Sequence, residues 1–395
     1  MVNENFVKVY NSTIVTKSSK DIFFNIHMIE NLFSLENNHL YDTCRDKKLL
    51  VVISETVHQL YSEKIYKYFK YNFPEDAVRI ITIKTTEENK NMDNVLSICK
   101  AGKEFGLDRR AFMIGIGGGI LLDMVGFAAS MYKRKLNYIR IPTTLVGQID
   151  AGIGIKTSVN FRQSKNFIGS YHPPFAVFND ISLLKTLHPE ELKCGLAEII
   201  KMGIIVDKEL FERIESDKNT LAEQCDEVNK NSYQKINHMA IVDMLNQLVV
   251  NFYEDDLERL VDFGHTFSPF IEEFTNYEVK HGLAVAMDIA ISTEISYLLG
   301  KIDQSSKERI LNLILDLGMD IYDSSIYHTD LIYKSLDNVV LHRGNNLNLV
   351  IPIQIGEARF IKDKETISKQ LLKQACENLE VYQDEFKSKR ILFSI

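Results

Sequence analysis

Residues 111–123 read AFMIGIGGGILLD. An apolar stretch suited to a buried strand, 111–116, runs straight into Gly117, Gly118 and Gly119. An apolar helical pattern, 121–132, follows at once. Glycine at a strand-to-helix turn lets a ligand approach the backbone, and the helix N-terminus offers N–H groups and a partial positive charge to a phosphate. Counted from Gly115, the spacing is not the GxGxxG of ordinary dinucleotide sites, so a plain tight turn stays open as the alternative. Asp123 is placed either to cap the helix or to reach a ribose hydroxyl.

The surroundings of this turn set the fold class. Apolar runs at 49–53, 78–83 and 138–141 read as further strands, and 56–71 and 91–105 carry apolar residues at helical spacing. Strand–helix–strand repetition predicts a parallel sheet flanked by helices. Gly and Pro then cluster between Pro142 and Pro174, which reads as a loop-rich stretch on a rigid scaffold. From about Leu187 the pattern turns helical: 189–205, 207–214, 232–252, 267–274, 283–299 and 306–317. A hairpin (347–353 with 358–361) and a last helix (367–387) follow, and the charged tail after Tyr382 is expected to fray. The 395 residues thus divide into an α/β domain, 1–185, and a mainly α-helical domain, 186–395, within the two or three domains such a length allows.

Composition narrows the function classes. Acidic residues exceed basic ones, 54 to 46, with no dense Lys/Arg stripe, which argues against a nucleic-acid partner. No apolar run reaches the ~20 residues of a membrane span. The N-terminus MVNENFVKVY lacks the basic and apolar regions of a signal peptide. The five cysteines are scattered without a CxxC pair, as expected of free thiols in a reducing, cytoplasmic setting.

Two groups of residues carry chemistry. In IPTTLVGQIDAGIGIKTSVN, Thr143 and Thr144 offer hydroxyls just past a strand. Asp150 and Lys156 are charges inside an apolar, glycine-bearing stretch; their burial demands a mutual ion pair or a ligand. Lys165, Asn166 and His172 add donors suited to an anion. In the helical half, Glu198 and Lys201 lie three apart in GLAEIIKMG and so share a helix face. His265 in DFGHTF and His281 at the head of HGLAVAMDIA complete a two-His-one-carboxylate set that leaves a divalent ion open positions for substrate. Each histidine alone is more often a hydrogen-bonded core residue, and the residues themselves leave the metal site open.

The order of motifs GGGILLDMVGFAAS, YKR, IPTTLVGQIDAGIGIKTSVN, KNFIGSYHPP, GLAEIIKMGII, DFGHTF and HGLAVAMDI resembles that of the sugar phosphate cyclases, the superfamily of dehydroquinate synthase, over about residues 50–362. The resemblance implies an N-terminal Rossmann-like domain, tightly bound NAD, one divalent ion (zinc or cobalt), a sugar phosphate substrate and a homodimer. It implies Glu198, His265 and His281 as metal ligands. On the NAD side it implies Gly117, Gly118, Gly119, Asp123, Thr143, Thr144, Asp150 and Lys165, with Glu87 and Lys90 toward the adenosine. Asp150, Lys156, Asn166 and Lys201 match substrate-site positions. Arg134 matches a phosphate-binding arginine that reaches in from the partner subunit.

The departures are informative. Where dehydroquinate synthase reads LNFGHTFGH this chain reads VDFGHTFSP, so Asp262 stands for Asn and Pro269 for His. By the same alignment Met244, Glu258, Val339 and Val340 stand where that enzyme has cations, Leu283 replaces a Glu and Ser54 an Asp. Fewer cations imply a substrate with a phosphate and no carboxylate, since a desolvated anion without partners costs on the order of several kcal/mol. Together with SYHPP, FSP and RGNNLNLVIP, this resembles the sedoheptulose 7-phosphate cyclases, nearest their valiolone branch. The implied reaction is oxidation, phosphate elimination, reduction, ring opening and aldol closure. The gadusol and 2-epi-valiolone branches, dehydroquinate synthase, a metal-dependent alcohol dehydrogenase and a degenerate NAD-binding scaffold stand as alternatives.

Overall fold

The computed structural model describes residues 6–162 and 164–393. A hairpin of β1 (Phe6–Tyr10) and β2 (Thr13–Lys17) precedes β3 (Asn25–Ile29), α1 (His39–Cys44), β4 (Leu49–Ser54), α2 (Glu55–Asn72), β5 (Val78–Ile83), α3 (Met92–Phe105), β6 (Phe112–Gly117), α4 (Gly119–Met131) and β7 (Asn137–Pro142). A second hairpin, β8 (Lys156–Phe161) and β9 (Ser164–Tyr171), leads into β10 (Ala176–Asp180). The main sheet has the order β3-β10-β7-β6-β4-β5, and every pair in it is parallel.

The interior strand β4 is buried along its whole length, which is why it reads as a continuous apolar run and not as an alternation. One apolar cluster, with Leu49, Val51 and Ile53, covers one face of the sheet; another, with Leu50, Val52 and α4, covers the other. Local signals set the helix ends. Ser54 Oγ accepts from Val57 N–H to start α2, and Gly106 at φ +74° closes α3.

The rest is a helical body: α5 (Pro189–Ile205), α6 (Lys208–Leu221), α7 (Lys230–Leu248), α8 (Ser268–Phe274), α9 (His281–Leu298), α10 (Gln304–Asp316) and α11 (Thr329–His342). The hairpin β11 (Leu349–Gln354) and β12 (Glu357–Ile361) and then α12 (Lys369–Phe393) complete it. Helix α9 is apolar nearly all round and buried from Ala284 to Ser296, the mark of a helix enclosed by others. Among the described residues no helix is long and apolar enough to cross a membrane.

Four expectations are corrected. The glycine-rich stretch 142–174 holds the β8–β9 hairpin and a π-helical turn, Gly147–Ala151. Helix α11 was not foreseen; only Ile332 and Leu336 of it are buried, too short a stripe to stand out. The edge strand β3 is half-buried and carries a weak apolar signal. Past Tyr382 the described residues continue as helix, with α12 running to Phe393.

Candidate active site

The glycine turn lies where the sequence places it. Gly118 is the N-cap of α4 in an extended conformation, and Thr143 N–H donates to Gly117 O at 3.0 Å. A Cβ on Gly117 would stand 2.7 Å from Leu121 Cδ2, so the backbone here approaches its neighbours more closely than any side chain allows. Thr144 Oγ1 accepts from Gly147 N–H at 3.1 Å, and Asp150 sits in the π-helical turn that follows. Ser54 caps α2 beside the same turn.

Next to this turn the β8–β9 hairpin gathers a polar cluster. Lys90 is almost fully buried and donates to Asp123 Oδ2 at 2.6 Å and to Asn166 Oδ1 at 2.5 Å. Ser158 Oγ also donates to Asn166 Oδ1, at 3.0 Å, and Asn166 holds φ +52°. Glu87 Oε1 accepts from Asn160 Nδ2 at 2.8 Å and lies 3.9 Å from Lys165 Nζ. His172 stands apart from the donors of the site: its ring stacks on Tyr138 and bonds to Leu136 O at 2.9 Å, a structural role.

The helical half supplies the third part. Helix α5 carries Glu198, wholly buried, and Lys201, whose Nζ lies 2.5 Å from Glu198 Oε2. His265 Nε2 is 3.7 Å and His281 Nε2 3.2 Å from Glu198 Oε1. One ligand atom from each of the three residues falls within 4.8 Å of the others. Neither Glu198 oxygen has a hydrogen bond of ordinary geometry. The Lys201 ammonium offsets part of the cost of burying this carboxylate, and Oε1, between the two imidazoles, is where a further cation would complete it. One carboxylate and two imidazoles suit zinc or cobalt.

Charges in this cluster are strongly tuned. Burial and then the Lys201 charge push His265 down to about 4. Burial opposes charge on His281 too, but the Glu198 and Glu272 carboxylates raise it to about 10. Glu198 falls well below the usual carboxylate range, with burial opposing and Lys201 and the histidines prevailing. Lys201 is raised: burial works against its charge, and Glu198, Asp150 and Asp262 more than offset that. A divalent cation would therefore displace a proton from His281 on binding.

Several residues of the site were not foreseen. Glu272 on α8 accepts from His281 Nδ1 at 2.9 Å and from Lys165 Nζ at 2.7 Å. Arg259 pairs with Asp262 and Glu254, and Glu254 also accepts from Lys156 Nζ at 2.8 Å. Glu258 itself pairs with Lys362, and Arg259, one residue on, supplies a cation beside Asp262 that the inventory of lost cations did not count. Arg343 holds His265 O and Thr266 Oγ1, each at 3.1 Å. Asp288 was detectable, because it falls seven residues after His281 on one helix and is a lone charge among apolar residues. Arg134 lies exposed in the turn Tyr132–Arg134 at φ +74°, and no contact among the described residues ties it to this site.

A two-domain chain with this glycine turn and this ligand cluster belongs to the dehydroquinate synthase family of sugar phosphate cyclases. The family model for the 3-dehydroquinate synthase N-terminal domain matches residues 80–194, and that for the C-terminal domain matches 195–338. Among individual relatives, the chain is 37% identical over 356 residues to 2-epi-5-epi-valiolone synthase of Streptomyces glaucescens, covering 90% of this chain and 91% of that one. It is 33% identical over 350 residues to demethyl-4-deoxygadusol synthase of Trichormus variabilis, covering 87% and 84%. The solved structure of ValA, a 2-epi-5-epi-valiolone synthase from Streptomyces hygroscopicus with NAD+ and Zn2+ bound, matches with a TM-score of 0.85 and 34% identity, over 93% of this chain and 99% of that one.

Proposed function

We propose that this chain cyclises sedoheptulose 7-phosphate to 2-epi-5-epi-valiolone with release of phosphate, using NAD and one divalent ion. The observation that carries the reading is the buried Glu198 carboxylate, without hydrogen bonds of ordinary geometry, whose oxygens face His265, His281 and Lys201. The similarity to valiolone synthases supports the choice of substrate and product. Glu198, His265 and His281 would hold the ion. The dinucleotide would lie along Gly117, Gly118 and Gly119, with Asp123, Thr143, Thr144, Asp150 and Lys165 beside it and Glu87 and Lys90 toward the adenosine. When bound, the dinucleotide takes up and returns a hydride, and the ion polarises the substrate oxygen at the carbon concerned.

The chain's own residues do the rest. Lys201, kept charged by its buried acidic neighbours, stabilises negative charge on that oxygen. Lys156 and Arg259 already share the Glu254 carboxylate, which marks a place where an anion is held, and the substrate phosphate suits it. Asn166, fixed by Lys90 and Ser158, keeps its amide NH2 free to orient that phosphate. The active form is a homodimer in the cytoplasm, each chain falling into domains 1–185 and 186–395, with the exposed Arg134 completing the phosphate site of the partner subunit. The five free cysteines suit such a compartment.

The test is to incubate purified protein with sedoheptulose 7-phosphate, NAD+ and Zn2+ or Co2+, measure phosphate, and identify the product by NMR. Valiolone with stoichiometric phosphate is expected. Phosphate release only from the dehydroquinate synthase substrate would overturn the assignment, and a gadusol-type product would move it to the neighbouring branch.

A further inference from the structure

The two histidines of the ligand cluster are held in different ways. His265 Nδ1 meets the carbonyl of Phe263, two residues away, at 3.1 Å. Its ring is therefore oriented by its own loop. His281 has no such local partner for Nδ1; it uses Glu272 Oε1, on another helix, at 2.9 Å. A proton on Nδ1 shared with a carboxylate orients the ring and fixes where Nε2 points, here toward Glu198 Oε1 at 3.2 Å.

Glu272 is itself held from the other domain. It is nearly buried, and its second oxygen accepts from Lys165 Nζ at 2.7 Å. Lys165 stands on β9 of the hairpin that also bears Asn166 and, at the start of β8, Lys156. The ammonium is clamped further by the Tyr277 ring at 4.0 Å and by Glu87 at 3.9 Å. One carboxylate thus touches a candidate metal ligand with one oxygen and the substrate-side hairpin with the other.

We infer that Glu272 is a positioning residue that makes the metal affinity of His281 depend on docking of the β8–β9 hairpin. This rests on reading Glu198, His265 and His281 as a metal site. Coupling between sites is reciprocal. Filling the metal site therefore favours the docked hairpin, which presents Lys156 and Asn166, and a displaced hairpin loosens His281.

The experiment titrates Co2+ into apoprotein and follows its visible absorption in the wild type, Glu272→Gln, Lys165→Met and the double variant. Hydrogen exchange is measured over residues 156–171 with and without Co2+. Glu272→Gln is expected to weaken Co2+ about 10- to 100-fold, the usual cost of losing such a partner. Lys165 contacts none of the three metal-ligand residues, yet Lys165→Met is expected to weaken Co2+ about 5-fold, the low end of coupling between sites. The double variant should be no weaker than Glu272→Gln, and Co2+ should slow exchange in the hairpin of the wild type but not of Glu272→Gln. Lys165→Met changes a part-exposed side chain, so it reports even if Glu272→Gln folds poorly. Wild-type affinity in Lys165→Met, or in a folded Glu272→Gln, would overturn this inference alone. Failure of the wild type to take up Co2+ would overturn the metal-site reading and the inference with it.

Discussion

Two buried carboxylates of the helical half face opposite fates. Asp288 on α9 is fully satisfied: Oδ2 accepts from the N–H groups of Thr266, Phe267 and Ser268 at 2.5–2.9 Å, and Oδ1 from Ser292 Oγ at 3.0 Å. Glu198 on α5 is just as buried, yet neither oxygen has a hydrogen bond of ordinary geometry; its neighbours are the Lys201 ammonium and the two imidazoles, and among the described residues no other side chain has two such atoms. Burial alone therefore does not mark function. An acid that spends its lone pairs on backbone N–H groups is building a loop, here the one that carries His265. An acid that keeps them faces a ligand.

The largest effect that would sharpen this contrast falls on turnover. Glu198→Gln keeps the volume and removes the charge; phosphate release should drop at least about 10³-fold, the scale of losing a preorganised electrostatic partner. Metal content by mass spectrometry should fall with it, while far-ultraviolet circular dichroism stays helical. A variant that retains metal and activity would break the comparison. Asp288→Ala should do the reverse. It orphans three backbone N–H groups, a loss of about 3 kcal/mol or more in urea unfolding, with a smaller fall in turnover per folded molecule.

The same contrast explains what could be read from the sequence. The glycine turn, Thr143, Thr144 and the pair Glu198/Lys201 are local: strand, turn and helix periodicities place them within a few residues of their structural role. Glu272 and Arg343 act on residues far along the chain or on another element, and neither lies in a motif of distinctive spacing. Arg259 was missed for a different reason. It lies in a loop without periodicity, and only the fold shows that its side chain turns toward Glu254 and Asp262. The β8–β9 hairpin was hidden because both strands are mostly polar and β9 has no buried position, so glycine content outweighed a weak alternation.

A third test targets the local, legible side of the molecule. Gly117→Ala sets a Cβ 2.7 Å from Leu121 Cδ2, an overpacking that should cost about 1–3 kcal/mol. Because the strain falls on the turn, NAD co-purifying with the protein should decline more than stability does. Full NAD content in a destabilised variant would make the turn a packing device.

The smallest effect separates a third kind of buried acid. Asp243 on α7 faces Asp207, the N-cap of α6, which already accepts from Glu209 and Leu210 N–H. Asp243 Oδ2 is buried without a hydrogen bond; burial first, and then the Asp207 charge and hydrogen bond, push its carboxyl up to about 7. Unlike Glu198 it has no cation beside it, so it meets burial by keeping its proton. With a folded value near 7 and an unfolded value near 3.8, the folded chain binds the extra proton between these pH values. The stabilisation is full below about pH 4 and is lost as pH rises through about 7. The group is partly exposed, which screens the effect. Between pH 5 and 8 the melting temperature should fall by roughly 2–4 °C on this account. Asp243→Asn, which supplies a permanent donor to Asp207, should flatten that slope. An unchanged slope in the variant would mean that the two carboxylates do not share a proton, and that Asp243 belongs with the acids that seek a cation.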